Sequence, residues 1–100
     1  MILSSQNGHL ATRFGQEGAI DIMKQAGYDA IDMSLFCMSR DDDIFNSNAY
    51  KSRTIEIKAY ADKVGIPFNQ SHVPFKFNWE NPNEFEERFM PRQIRGLEIT

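Results

Sequence analysis

Two glycines divide this chain into repeating pieces, and that repetition constrains the fold most. Gly27 and Gly65 each close an amphipathic stretch, and each is followed within five residues by a short apolar run. Only glycine enters the left-handed region cheaply, so it marks where a helix ends. Gln16 to Ala26 carries Ala19, Ile20, Met23 and Ala26 at helical spacing, with Glu17 in the first turn and Lys24 near the last. Gly18 weakens that helix slightly. Lys51 to Val64 places Ile57, Tyr60, Ala61 and Val64 on one stripe.

The short runs between them read as strands. Met1 to Ser4 is the first, broken by the turn formers Ser5 to His9. Ala30 to Met33 is the second, bounded by Asp29 and Ser34. The third opens at Pro67, which cannot donate a ladder hydrogen bond, and runs through Ser71 into a loop that begins at His72. Asn81, Pro82 and Glu84 then start a third helix in capping-box fashion. Pro91 should interrupt it, and Met90, Ile94 and Leu97 give the following piece an apolar side. The order is βαβαβα. Alternating strands and helices predict the α/β class, with a parallel sheet.

Composition narrows the function classes. At 100 residues the chain holds at most one domain with a modest core. Its net charge of −3 and scattered lysines argue against a nucleic-acid partner, which wants a clustered basic face. Arg88, Arg92 and Arg95 lie at helical spacing and read as one solvated face. Cys37 is alone, so neither a disulfide nor a thiolate metal cluster forms within the chain. No apolar run is long enough to span a membrane and no signal-peptide pattern opens the sequence, which makes cytoplasm the default location.

His72 is the first site candidate, because α/β proteins place ligands at the carboxyl ends of their strands. The plainer reading is a histidine capping a loop carbonyl. Asp32, at the end of strand two, shares that lip, where a carboxylate binds a hydroxyl or pairs with a cation. Asn7 and His9 follow strand one and are rim candidates. Phe36, Phe75 and Trp79 either wall a ligand or pack loops against helix ends, and packing is the preferred reading. Asp41, Asp42 and Asp43 are adjacent rather than alternate, which suits a solvated loop and not a hard-cation loop. Cys37 reads as a small buried hydrophobe. Arrangements for nucleophilic catalysis and phosphate-cradling glycine loops are missing.

Three stretches in this order resemble a known family. They are Glu17 to Ala26 followed by Gly27-Tyr28-Asp29-Ala30-Ile31-Asp32, then Ala59 to Gly65 followed by Phe68 and Ser71-His72-Val73-Pro74-Phe75, then Pro91 to Ile99. The pattern resembles the xylose-isomerase-like barrels, the sugar phosphate isomerases and epimerases. The resemblance implies the first three units of a (β/α)₈ TIM barrel, and residues 1–100 as the amino-terminal part of a single truncated domain. It implies a sugar substrate and a divalent metal (Mn, Mg, Co or Zn) ligated mostly by residues outside this chain. It also implies homo-oligomer formation as one expectation for the full-length protein. His72, Asp32, Asn7, His9 and Phe36 would then be substrate-side rim residues, with the general bases on later strands. Two alternatives stay open. One is the apurinic-endonuclease branch of the same superfamily, in which His72 would ligate metal. The other is a small α/β binding domain without catalysis.

Overall fold

A computed structural model of the protein describes residues 1–75 and 80–100. Three strands, β1 (Ser4–Gln6), β2 (Ala30–Ser34) and β3 (Phe68–His72), form one parallel sheet in the order β1-β2-β3. The helices are α1 (Gly8–Gln25), α2 (Tyr50–Val64), α3 (Pro82–Glu84) and α4 (Met90–Ile99). This is an α/β chain built from βαβ units, as the alternation predicts. Among the described residues, no helix is long and apolar enough to cross a membrane.

Both glycine stops behave as read. Gly27 and Gly65 have φ of 91° and 84°. The helical stripes also hold. Ala19, Ile20 and Met23 of α1 and Ile57 and Ala61 of α2 are buried, and Tyr60 and Val64 pack against them. Ala26 does not join; it is the exposed cap of α1. These residues meet Ile31 and Met33 from one side of β2 and Leu35 just beyond its end, and Ile99 of α4 joins the cluster. Asp32 and Ser34 alternate with those residues and so belong to the opposite face.

Several boundaries move. The first strand is Ser4–Gln6, not Met1–Ser4. Met1, Ile2 and Leu3 stay exposed, and Leu3 instead offers its carbonyl to the N–H groups of Asp29 and Ala30. Ser5 and Gln6 are therefore strand rather than turn, and Asn7 makes the turn. The first helix starts at Gly8, eight residues early, because Gly15 (φ 76°, ψ 172°) joins two helical pieces across a kink. Its second piece is the predicted one. His72 closes β3 rather than opening the loop, since Leu35 N–H still donates to its carbonyl at 2.7 Å.

The third helix is interrupted before Pro91, and a second α-helical piece, α4, opens at Met90 with Pro91 in its first turn, as predicted. Residues Phe85–Phe89 form a π turn, in which Met90 N–H reaches back to Phe85. The wider turn accommodates a proline that has no N–H to give. Asn81 caps the start as predicted, accepting from Glu84 N–H at 3.4 Å. The predicted apolar side of α4 is not its packing side. Ile94 and Leu97 remain exposed, while Gly96 and Ile99 are buried. Gly96 explains this, since a side-chain carbon there would lie 2.1 Å from Val73 Cγ1. The helix docks closely through its smallest residue. Gly96→Ala should therefore lower stability by about 1–3 kcal/mol through overpacking. Urea unfolding measures this, and an unchanged midpoint would refute the close approach.

The three arginines are not a solvated face either. Arg88 and Arg92 both donate to the Ser39 carbonyl and both pair with Asp41. That pairing holds the Asp41 carboxyl below the usual carboxylate range. Arg95 donates to the Phe45 carbonyl at 3.3 Å and lies over the Tyr50 ring. Together they staple α4 and the π turn to the loop after β2. Asp43 is built into that loop, accepting from Phe45 N–H at 3.0 Å as the cap of a short 3₁₀ turn. Asn46 ties the same loop by donating to the Met38 and Arg40 carbonyls at 2.9 and 2.7 Å.

Between α1 and α2, Arg53 grips Glu17, with one nitrogen to carboxylate oxygen distance of 2.8 Å. The hydrogen bond from Arg53 lowers the Glu17 pKa against partial desolvation. A depressed carboxylate stabilises the fold above its unfolded pKa, and that contribution is lost as pH falls through the lower folded value. The Glu17 side chain is 36% exposed, so solvent screening limits the pair to roughly 1 kcal/mol or less. Arg53→Met should therefore be less stable than the parent at neutral pH. The gap should narrow as acid protonates Glu17, and a gap independent of pH would refute the pairing.

Candidate functional site

β2 and β3 bring Asp32 and His72 together. Their register sets Asp32 beside Gln70 and Ser34 beside His72. A bulge between Ile31 and Asp32 makes this alignment, since β3 advances two residues from Phe68 to Gln70 while β2 advances one. Phe68 thus stays with the core, while Gln70 and His72 join the face that carries Asp32.

Asp32 is 5% exposed, and both its oxygens are engaged. Gln70 Nε2 donates to Oδ2 at 2.9 Å, and His72 Nδ1 lies 2.8 Å from Oδ1. A carboxylate accepts only, so this geometry places the ring hydrogen on Nδ1 and leaves the Nε2 lone pair available. The His72 side chain is 46% exposed, so the pair joins a buried carboxylate to an accessible imidazole. Phe36 borders it, with its ring centroid 6.4 Å from that of His72 and 5.3 Å from that of Phe75, the latter in edge contact. Phe77 and Trp79 lie outside the described residues.

The loop that follows His72 is held from α4. Gln93 donates to the Pro74 carbonyl, Gly96 meets Val73, and the hydroxyls of Ser71 and Thr100 bond. These contacts fix the backbone on both sides of the imidazole.

Asn7 reaches the lip but is fully buried. Its N–H donates to the Asp32 carbonyl at 3.1 Å, its Oδ1 accepts from Ser34 N–H at 2.9 Å, and its Nδ2 donates to Gln16 Oε1 at 2.9 Å. It clamps β1 to β2 and leaves no amide donor pointing outward. His9 is exposed, in the first turn of α1. It lines a cavity of about 370 Å³ over the ends of β1 and β2, with Gln6, Gly8, Gln16, Ser34 and Phe36 among the other walls. Asp32 and His72 do not line this cavity; Phe36 and Ser34 join the two regions.

Gln70, Gln16 and Ser34 were not singled out from sequence. Gln70 had a signal in the two-residue strand period counted back from His72, and Ser34 in the same period counted forward from Asp32. Gln16 had none. Cys37 also lines the cavity, and burial, with the Asp43 carboxylate nearby, pushes its pKa up to about 12. It is a protonated thiol and no nucleophile at neutral pH. Among the described residues, no three His, Cys, Asp or Glu side chains converge as a metal-holding group. Compared with protein-family models, curated proteins and solved structures, the chain matches none.

Proposed function

We propose that the chain forms the first three βα units of a (β/α)₈ barrel and supplies the substrate-side rim of a metal-dependent sugar, or sugar phosphate, isomerase or epimerase. The observation that carries this reading is the Asp32–His72 hydrogen bond between adjacent parallel strands, with His72 the last residue of β3 and Asp32 two residues before the end of β2. The strand order supports it too. Doubly wound sheets reverse their order, whereas a barrel wall adds strands consecutively with its helices on one side. Here the order is consecutive, and α1, α2 and α4 share one core with one side of β2.

Among the described residues no group of three side chains converges to hold a metal, and His72 is the single ligand this reading assigns to the chain. A metal-ligating histidine usually gives its other ring N–H to a carboxylate, and His72 does so with Asp32. One imidazole nitrogen is then on offer, and the other ligands belong to later strands. A bound metal supplies Lewis-acid polarisation of substrate oxygens. This chain's own residues orient. Asp32 fixes the imidazole ring and its tautomer, Gln70 fixes Asp32, and Phe36 gives an apolar wall. His72 Nε2 binds either metal or a sugar hydroxyl.

The test is turnover of free and phosphorylated pentoses and hexoses with added Mn²⁺ or Mg²⁺. A polypeptide carrying the later strands should interconvert or epimerise a sugar, and the 100-residue chain alone should not. Turnover by the chain alone would overturn the assignment of the general bases to later strands. No reaction from the longer polypeptide on any such sugar would overturn the reading itself.

A further inference from the structure

A second, smaller cavity joins the loop after β2 to the start of α4. We propose that Ser39, on its wall, is a phosphorylation site, and that Arg88 and Arg92 hold the phosphate. Ser39, Pro74, Glu84, Arg88, Arg92 and Gln93 are among the lining residues, and the volume is about 70 Å³. Pockets for whole metabolites run to about 300–1,000 Å³, so this space suits one small group. Both guanidinium groups already converge on Ser39. Arg88 Nη2 and Arg92 Nη1 donate to its carbonyl at 3.1 and 3.2 Å. Asp41, two residues on, shows that these arginines take an anion. Its carboxylate pairs with Arg88 Nε and Arg92 Nη2, although the Asp41 side chain is 77% exposed.

The sequence marks the same residue. Among all the serines and threonines of the chain, only Ser39 is followed three residues later by an acidic side chain, Asp42, with Asp41 and Asp43 on either side of it. Ser39 is exposed. A protein kinase with a basic substrate groove selects such a run by charge. Arg40 interrupts the run, but Asp43 pairs with it at 3.2 Å. In the transfer, Ser39 Oγ bonds to the γ-phosphorus of a nucleoside triphosphate. The bridging P–O bond breaks, the diphosphate leaves, and the hydroxyl proton goes to a base of the kinase. The phosphate brings nearly two negative charges and three acceptor oxygens. It takes over the Arg88 Nε and Arg92 Nη2 that Asp41 holds, because a dianion pairs with guanidinium more strongly than an exposed carboxylate does. Glu84 keeps its own Arg88 nitrogen at 3.2 Å. Gln93 shares the wall and donates to the Pro74 carbonyl, so the phosphate lies against the loop that follows His72.

This inference does not depend on the isomerase reading, because it uses neither Asp32 nor His72. The experiment treats the chain with ATP and an acid-directed serine kinase and maps the product by mass spectrometry. One phosphate should appear, on Ser39. Ser39→Ala should take none, and Asp42→Asn should slow the transfer about tenfold. Phosphorus-31 NMR then follows the phosphate through pH. In the folded chain it should titrate about one pH unit below its ordinary value of about 6, because the arginines favour the dianion. In urea it should return to that value, and Arg92→Gln should raise the folded value toward it. Comparison with the urea-unfolded phosphoprotein decides the matter if Arg92→Gln fails to fold. The amides of Val73 and Phe75 should shift on modification. The proposal is overturned if the kinase modifies an acidic control peptide but leaves Ser39 bare, or if it places the phosphate on another residue. It is also overturned if the phosphate titrates alike in the folded and unfolded chain.

Discussion

Asp32→Asn is expected to lower kcat/KM by about 10–100-fold in a polypeptide that turns over sugar, the usual cost of losing an orienting partner behind a functional histidine. The reason is a count of acceptors. Asp32 receives hydrogen bonds from two donors, Gln70 Nε2 and His72 Nδ1. Asparagine keeps one acceptor and replaces the other with a donor. Either Gln70 loses its partner, or the imidazole must flip or move its hydrogen to Nε2. In the second case the lone pair needed for metal or hydroxyl is gone. A purely structural role for Asp32 predicts a different result, with stability falling and tautomer unchanged. Nitrogen-15 NMR of His72 separates the two in the chain itself. The parent should show hydrogen on Nδ1, and Asp32→Asn should show a mixture or the reverse. His72→Asn should reduce turnover at least as much. Wild-type kcat/KM in Asp32→Asn, with an unchanged tautomer, would remove the pair from the site.

What was legible in the sequence was what local chemistry decides. The stops at Gly27 and Gly65, the stripes Ala19-Ile20-Met23 and Ile57-Ala61, and the Asn81 cap each depend on neighbours within a few residues. The strand end near His72 was legible. Asp32 reads as a strand end too, but β2 runs two residues further, to Ser34. Their contact was not legible, because it depends on a register shifted by one bulge residue. The role of Asn7 was misread for a related reason. As a turn residue after a strand it is a rim candidate, yet its side-chain amide is taken by the Ser34 N–H on β2 and by Gln16 on α1. The arginines show the same limit. Helical spacing places Arg88, Arg92 and Arg95 on one side, but only the fold reveals that this side meets the Ser39 to Phe45 loop. The first helical piece, Gly8 to Phe14, was hidden because Gly15 ended the apolar periodicity.

That loop is also where the largest stability effect is expected. Read from sequence it is a long polar connection, rich in Asp, Asn and Ser. In the fold it carries Leu35, Met38 and Phe45 into the core, with Phe45 only 2% exposed. Two 3₁₀ turns make this feasible, since they satisfy backbone groups locally while turning apolar side chains inward. Phe45→Ala should cost about 3–5 kcal/mol, the range for emptying a buried aromatic site. A domain of this size has about 5–15 kcal/mol in total, so the variant should be only marginally folded at ambient temperature. The melting temperature should fall on the order of 20 °C. Phe14→Ala is the control, because Phe14 is 55% exposed and its loss should change stability by about 0.5 kcal/mol or less. Equal melting temperatures for the two variants would mean that the loop is not part of the core. The consequence reaches the cavity as well, because Phe45 forms one of its walls. A loop anchored by Phe45 and stapled by Arg88, Arg92 and Arg95 fixes the position of Phe36, and through that ring the two halves of the lip are held in one geometry.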